Sequence, residues 1–204
     1  VDKAHGLFFE RGRVDAKTNI VLIGYRCSGK TTLGRLLSER LGRPFQDVDR
    51  LMEHETGMPL CDLAGTLGWP RFRDLEQDVI GRVAILERQV IATGGGAVTR
   101  RENVLRLKAN GWVVWLQAGV KVLGARLQLE NERGRQRPAL TAAGSLDEIE
   151  KVLEERHAAY FEAADAIVDS GTGTEQDILE RILEKSPFRE PATGPGQRRR
   201  SHAG

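Results

Sequence analysis

The stretch "IVLIGYRCSGKTTLGRLL" (residues 20–37) leaves this chain few folds to choose from. An apolar run enters a loop bounded by Gly24 and Gly29, and a helical pattern with Leu33, Leu36, Leu37 and Leu41 on one face leaves it. Gly24 to Thr31 fits G-x-x-x-x-G-K-[ST], a loop whose backbone N–H groups wrap phosphate oxygens when a strand precedes it and a helix follows. Successive N–H groups and the helix N-terminus form a positive nest for such an anion. Gly24, Cys27, Ser28, Gly29, Lys30, Thr31 and Thr32 are therefore candidate nucleotide-binding residues. Lys30 would reach the β- and γ-phosphates of a nucleotide, and the Thr31 hydroxyl would join the shell of a Mg²⁺ ion. Cys27 is expected to be an inert small side chain in that loop.

The rest of the chain continues the alternation. "PFQDVD" (44–49) reads as a short strand ending in acids, and "QVIATGGG" (89–96) as a strand stopped by three glycines. "GWVVWLQA" (111–118) and "DAIVDS" (165–170) are two further strands. Leu75, Val79, Val83 and Leu86 recur three and four apart, which predicts a helix over 73–87. Helices are also predicted over 100–109, 119–129, 146–163 and 174–185. Strand–helix alternation at this spacing implies an α/β domain with a parallel sheet covered on both faces. Residues 130–145, "ENERGRQRPALTAAGS", are polar and predicted to be irregular; long segments of this kind inside a domain are usually functional or disordered.

In a parallel sheet, ligands sit beyond the carboxyl ends of the strands. That rule selects Asp47 and Asp49 after the second strand. Two residues apart on an extended segment, they would share a face. One carboxylate could hold the metal's water shell and the other could accept a bond from a substrate hydroxyl. The alternative is a plain loop and helix cap. The rule also selects Gly94, Gly95 and Gly96, which let backbone approach a ligand closely. Arg73 stands three residues before Glu76, within pairing reach, and Arg156 one helical turn before Tyr160. Arg126, Arg133, Arg135 and Arg137 lie in or before the irregular segment, where closure over a nucleotide would bring positive charge to a transferring phosphoryl group.

Charge excludes other classes. The formal charge is +2, but residues 186–204 carry four Arg and one Glu, and residues 1–18 carry four Lys or Arg and three acids, which leaves the body at −2. No nucleic-acid footprint is expected of such a body, and the "RRR" at 198–200 reads as a solvated tail. Two cysteines, Cys27 and Cys61, make no disulfide framework or zinc site, which suits a reducing cytoplasm. The first fifteen residues have no apolar leader core, and no run approaches membrane-spanning length.

Taken in order, G-x-x-x-x-G-K-T-T, D-V-D, F-R-x-x-E, T-G-G-G, R-P-x-L and E-R-x-x-x-Y resemble the motif series of the shikimate kinase family, over about residues 19–185. The resemblance implies a P-loop three-layer fold of the nucleoside-monophosphate-kinase type: a five-stranded parallel sheet flanked by helices, a small helical substrate-binding part and a lid at about 130–145. Residues 1–18 would be an extension and 186–204 a disordered tail, on a monomer. The implied reaction moves the γ-phosphoryl of ATP to the 3-hydroxyl of shikimate with Mg²⁺, a step of aromatic amino-acid biosynthesis. The implied roles put Lys30 and Thr31 at the phosphates and metal, with Asp47 in the metal's outer sphere. Asp49 would bind the hydroxyls and take the proton, and Arg73 and Arg156 would clamp the carboxylate. Gly94 to Gly96 would give backbone contacts, Arg137 would be the lid arginine and Arg126 would stack on adenine. Chemistry agrees, since a carboxylate suits the guanidinium fork and Asp49 suits hydroxyls but repels a phosphate. A kinase acting on gluconate has the same charge requirement; the pairing of Arg73 with Arg156 favours shikimate.

Overall fold

In the computed structural model, residues 18–132 and 146–188 are described. Five strands, β1 (Asn19–Ile23), β2 (Phe45–Asp47), β3 (Val90–Ala92), β4 (Gly111–Gln117) and β5 (Ala166–Asp169), form one parallel sheet in the order β2-β3-β1-β4-β5. β1 lies at the centre and all five of its residues are buried. From Ile20 to Ile23 it can therefore be apolar without a break, because both faces of a covered parallel sheet are dry.

Alternate side chains serve opposite faces. Ile20 and Leu22 pack with Leu33 and Leu37 of α1 (Lys30–Leu41) and with Ile178 and Ile182 of α7 (Glu175–Lys185). Val21 and Ile23 point the other way. They meet α2 (Val48–Thr56), α3 (Leu60–Ala84), α4 (Arg101–Ala109) and α6 (Leu146–Ala163). α5 (Val120–Glu132) packs on α6 through Leu123, Leu127, Ile149 and Val152. The three layers and five parallel strands match the expected architecture.

Local differences follow from capping and glycine conformation. The segment expected as strand over 44–49 pairs only from Phe45 to Asp47, because the Asp47 carboxylate caps α2 by accepting the Arg50 N–H. Asp47 and Asp49 therefore do not share a face of one strand; Asp47 is the cap and Asp49 sits in the first helical turn. Helix α3 begins at Leu60, well before the expected 73, and stops at Ala84. It bends at Gly68 (φ 72°, ψ 160°), a conformation that only glycine adopts readily, two residues before Pro70. α5 continues through Glu132, so the first three residues of the segment expected to be irregular are helical; residues 133–145 lie outside those described. At the far end of the chain, Phe188 packs edge-on to Trp112 and under the Arg43 guanidinium.

Candidate active site

The loop between β1 and α1 is held by its own lysine. Lys30, buried, donates from Nζ to the carbonyls of Gly24 (2.9 Å) and Tyr25 (2.7 Å). Gly24 (φ 142°) and Gly29 (φ 93°, the cap of α1) supply the positive-φ turns. Cys27 adopts φ 63° without being glycine, so the loop keeps its left-handed turn at a site where most side chains are strained. Its carbonyl receives Arg126 Nη1 at 3.3 Å, and Arg126 Nη2 donates to the Ser170 carbonyl at 2.8 Å. Arg126 thus ties the phosphate loop to the turn after β5, at the rim of the larger cleft lined by Ser28, Gly29, Lys30, Thr31, Thr32 and Asp47.

Thr31 Oγ1 donates to Asp47 Oδ2 at 2.8 Å. A hydroxyl and a carboxylate side by side next to the start of α1 are the hard oxygen donors that Mg²⁺ prefers, Thr31 to the ion itself and Asp47 to its water shell. Among the described residues there is no cluster of three or more His, Cys, Asp or Glu that could hold a metal ion. The residues present fit a nucleotide-borne Mg²⁺.

A second cleft adjoins the first, and Asp49 lines both. Its other walls are Tyr25 and Arg26 of the phosphate loop, Leu60, Trp69, Phe72, Arg73 and Glu76 of α3, Gly94–Gly96 and Arg156. The F-R-x-x-E motif acts as a unit. Arg73 Nη1 donates to Glu76 Oε2 at 2.6 Å, and the guanidinium lies 5.3 Å from the Trp69 ring and 5.4 Å from the Phe72 ring. Two aromatic faces and one carboxylate fix its direction. Glu76 is fully buried, and its Oε1 finds no hydrogen-bond partner among the described residues. Burial pushes its carboxyl above the usual carboxylate range, and the neighbouring Arg73 offsets part of that.

Each of the three glycines makes room for a different group. A Cβ on Gly94 would fall 2.9 Å from Asp49 Oδ1 and nearer still to Glu76 Oε1; one on Gly96 would strike the Arg73 guanidinium. A Cβ on Gly95 would press on the phosphate loop itself, 3.0 Å from the Arg26 nitrogen. The Gly95 carbonyl takes two bonds from α6, one from Arg156 Nη1 at 3.1 Å and one from the Tyr160 hydroxyl at 2.5 Å. Burial raises the Tyr160 phenol to about 12, against the opposing pull of Arg156. Among the described residues, no carboxylate pairs with Arg156, which is half-buried at the cleft wall.

The structure thus brings together Lys30, Thr31 and Asp47 on one side of Asp49, and Arg73, Arg156 and Gly94–Gly96 on the other. Arg133, Arg135 and Arg137 fall outside the described residues. Sequence reasoning missed Tyr25, Arg26, Trp69 and Glu148 as parts of this region. An arginine inside the phosphate loop was the one visible signal.

Comparison with known proteins bears on the chain as a whole. A family model described as shikimate kinase matches residues 26–187. The chain is 41% identical over 167 residues to a shikimate kinase of Symbiobacterium thermophilum, which covers 82% of this chain and 95% of that one. It is 44% identical over 149 residues to a shikimate kinase of Nitratidesulfovibrio vulgaris, covering 73% and 85%. Among solved structures, a shikimate kinase of Acinetobacter baumannii in complex with shikimate superposes with a TM-score of 0.75 at 34% identity, over 82% of this chain and 92% of that chain. The family model spans most of the chain and relatives of the same family cover it at 41% and 44% identity, so the chain belongs to the shikimate kinase family.

Proposed function

We propose that the protein transfers the γ-phosphoryl group of ATP to the 3-hydroxyl of shikimate, a step of aromatic amino-acid biosynthesis. The observation that carries this reading is Asp49. It lines both clefts, with Lys30 and Thr31 on one side and the two arginines on the other. The acceptor's carboxylate is held by Arg156 and Arg73, its ring rests against Leu60, Trp69 and Phe72, and its hydroxyls reach Asp49 and the backbone of Gly94–Gly96. The hydroxyl oxygen forms the new bond to γ-phosphorus as the bridge to the β-phosphate breaks, with the bond's electrons leaving on ADP. Asp49 takes the hydroxyl proton. Lys30 and Arg137 balance the charge on the transferring group, and Arg126 stacks on the adenine. Thr31 and Asp47 hold a Mg²⁺ that neutralises phosphate charge when bound. No covalent nucleophile is required, because positioning and charge stabilisation supply the rate.

On this reading the enzyme works in the cytoplasm as a monomer. No described helix is long and apolar enough to cross a membrane. A coupled ADP-release assay with Mg-ATP tests the reaction, using shikimate, gluconate and no acceptor. Shikimate-dependent ADP supports it. ATP binding without shikimate turnover would leave the phosphate loop correctly read and the acceptor wrong.

A further inference from the structure

In the acid cleft, two donors share one acceptor. The part-buried Gly95 carbonyl takes Arg156 Nη1 at 3.1 Å and the Tyr160 hydroxyl at 2.5 Å. The donors stand one turn apart on one face of α6, so both reach the same oxygen. They are held very differently. Tyr160 is 1% exposed, and its ring stacks on that of Trp115 in β4, with centroids 5.3 Å and planes 17° apart. That stack fixes where the phenol oxygen stands. Arg156 is half-buried and lines the cleft, and among the described residues the Gly95 carbonyl is its one hydrogen-bond acceptor. One carbonyl therefore carries a fixed donor and a movable one, although a buried acceptor needs only one partner to be satisfied.

We propose that Tyr160 is a positioning residue for the reaction: its hydroxyl keeps hold of the Gly95 carbonyl while Arg156 turns from that carbonyl to the carboxylate of the acid. The inference rests on the reading of the second cleft as a shikimate site with Arg156 at the carboxylate. A guanidinium bonds an ionised carboxylate about twice as strongly as a neutral carbonyl, and it can fork onto both oxygens. The exchange is therefore favourable in itself. Its hidden cost is the acceptor left behind, since a buried carbonyl that loses its donor and finds no water forfeits much of the gain. With the phenol already in place, Gly95 stays satisfied in both states and the whole gain goes to binding. Tyr160 does not touch the acid; it acts through Gly95 and Arg156.

The test is a double-mutant cycle on the full chain, read as ADP release with shikimate varied at saturating Mg-ATP. Its members are the wild type, Tyr160→Phe, Arg156→Ala and the double variant. Tyr160→Phe keeps the ring against Trp115 and removes only the donor. In the wild-type background it should raise the KM for shikimate by about five- to thirtyfold, the equivalent of one part-buried carbonyl left short of a donor. In the Arg156→Ala background no donor leaves on binding, so the same replacement should change KM by less than about twofold. An equal rise in both backgrounds is the mark of a merely loosened glycine turn and would overturn the proposal. So would a Tyr160→Phe enzyme with the KM of the wild type. A crystal structure of the wild type with shikimate reads the same exchange without any variant. Arg156 Nη1 should have left the Gly95 carbonyl for the carboxylate while Tyr160 keeps its bond, and an Arg156 still on Gly95 would overturn the proposal. Those failures leave the acceptor reading intact. Absence of shikimate-dependent ADP from the wild type would refute that reading and this inference with it.

Discussion

Arg156→Ala separates substrate binding from fold more cleanly than any other change in the site. The Gly95 carbonyl accepts bonds from Arg156 and from Tyr160, so truncating Arg156 leaves it still hydrogen-bonded through the phenol. The stability cost is then one net hydrogen bond, about 0.5–1.5 kcal/mol, or a melting temperature lower by roughly 1–6 °C for a chain of this size. The acid loses far more. A hydrogen bond to a charged group contributes about 1.5–3 kcal/mol, and each 1.4 kcal/mol is about tenfold in affinity. Arg73 keeps its own share of the carboxylate and, braced by Glu76 at 2.6 Å, does not move into the place that Arg156 leaves. The KM for shikimate should therefore rise between about tenfold and 150-fold, with kcat at saturating acid little changed, the pattern of lost uniform binding. The assay is steady-state ADP release with shikimate varied at saturating Mg-ATP, paired with nucleotide titration in the absence of acid. A KM within twofold of the wild type, or a matching loss of nucleotide affinity, would refute the assignment of Arg156 to the carboxylate.

Lys30→Ala should lower kcat by about 100- to 1000-fold, since a charge aimed at the transferring group is removed; near-normal turnover in the ADP assay would take Lys30 out of the mechanism. Gly96→Ala should raise the KM for shikimate and spare that for ATP, because the new methyl displaces the Arg73 guanidinium; equal changes in both constants would count against it. Tyr160→Phe should alter the alkaline limb of stability. The phenol is raised from 10.0 to about 12 in the fold, so its contribution is whole below pH 10 and is lost as pH rises through about 12. Urea titrations of both proteins across that window should show a smaller decline in the Phe variant, and parallel declines would contradict the burial argument. At Cys27 (φ 63°), Gly should be tolerated within about 1 kcal/mol and Val should lower the melting temperature by several degrees, since a β-branched residue resists positive φ. The opposite order would show that the turn does not impose the constraint.

The elements that repeat a period were legible in the sequence. β4 and α6 lie within a residue or so of their predicted bounds, because one is an unbroken apolar run and the other repeats its apolar residues at three and four. The stretch from Val48 to Phe72 was not. Gly57, Pro59, Gly65, Gly68 and Pro70 read locally as breakers, yet helix runs through most of it, because Val48, Met52, Leu63 and Phe72 all reach the core under β3 and β1. Tertiary burial overrides propensity there, and one glycine in a conformation open to it absorbs the bend.

The site divides along the same line. Its nucleotide half is a local object, a loop within eight residues whose donors are its own backbone, so spacing alone exposes it. The acid half is assembled from four distant segments, and no spacing within the chain announces that Gly95, Arg156 and Tyr160 meet across 61 and 65 residues. Motif order could bring those segments together only where they already form part of a family pattern. Arg26 falls on an unspecified position of the phosphate-loop motif, and Glu148, 122 residues away, falls in none of the motifs. Each looks like a solvated surface charge until the fold buries both, and a buried pair has meaning only through what it joins. What it joins here is the loop that would hold the phosphates and the helix that would hold the acid. Contacts that span so much of the chain are the ones that spacing along it cannot announce.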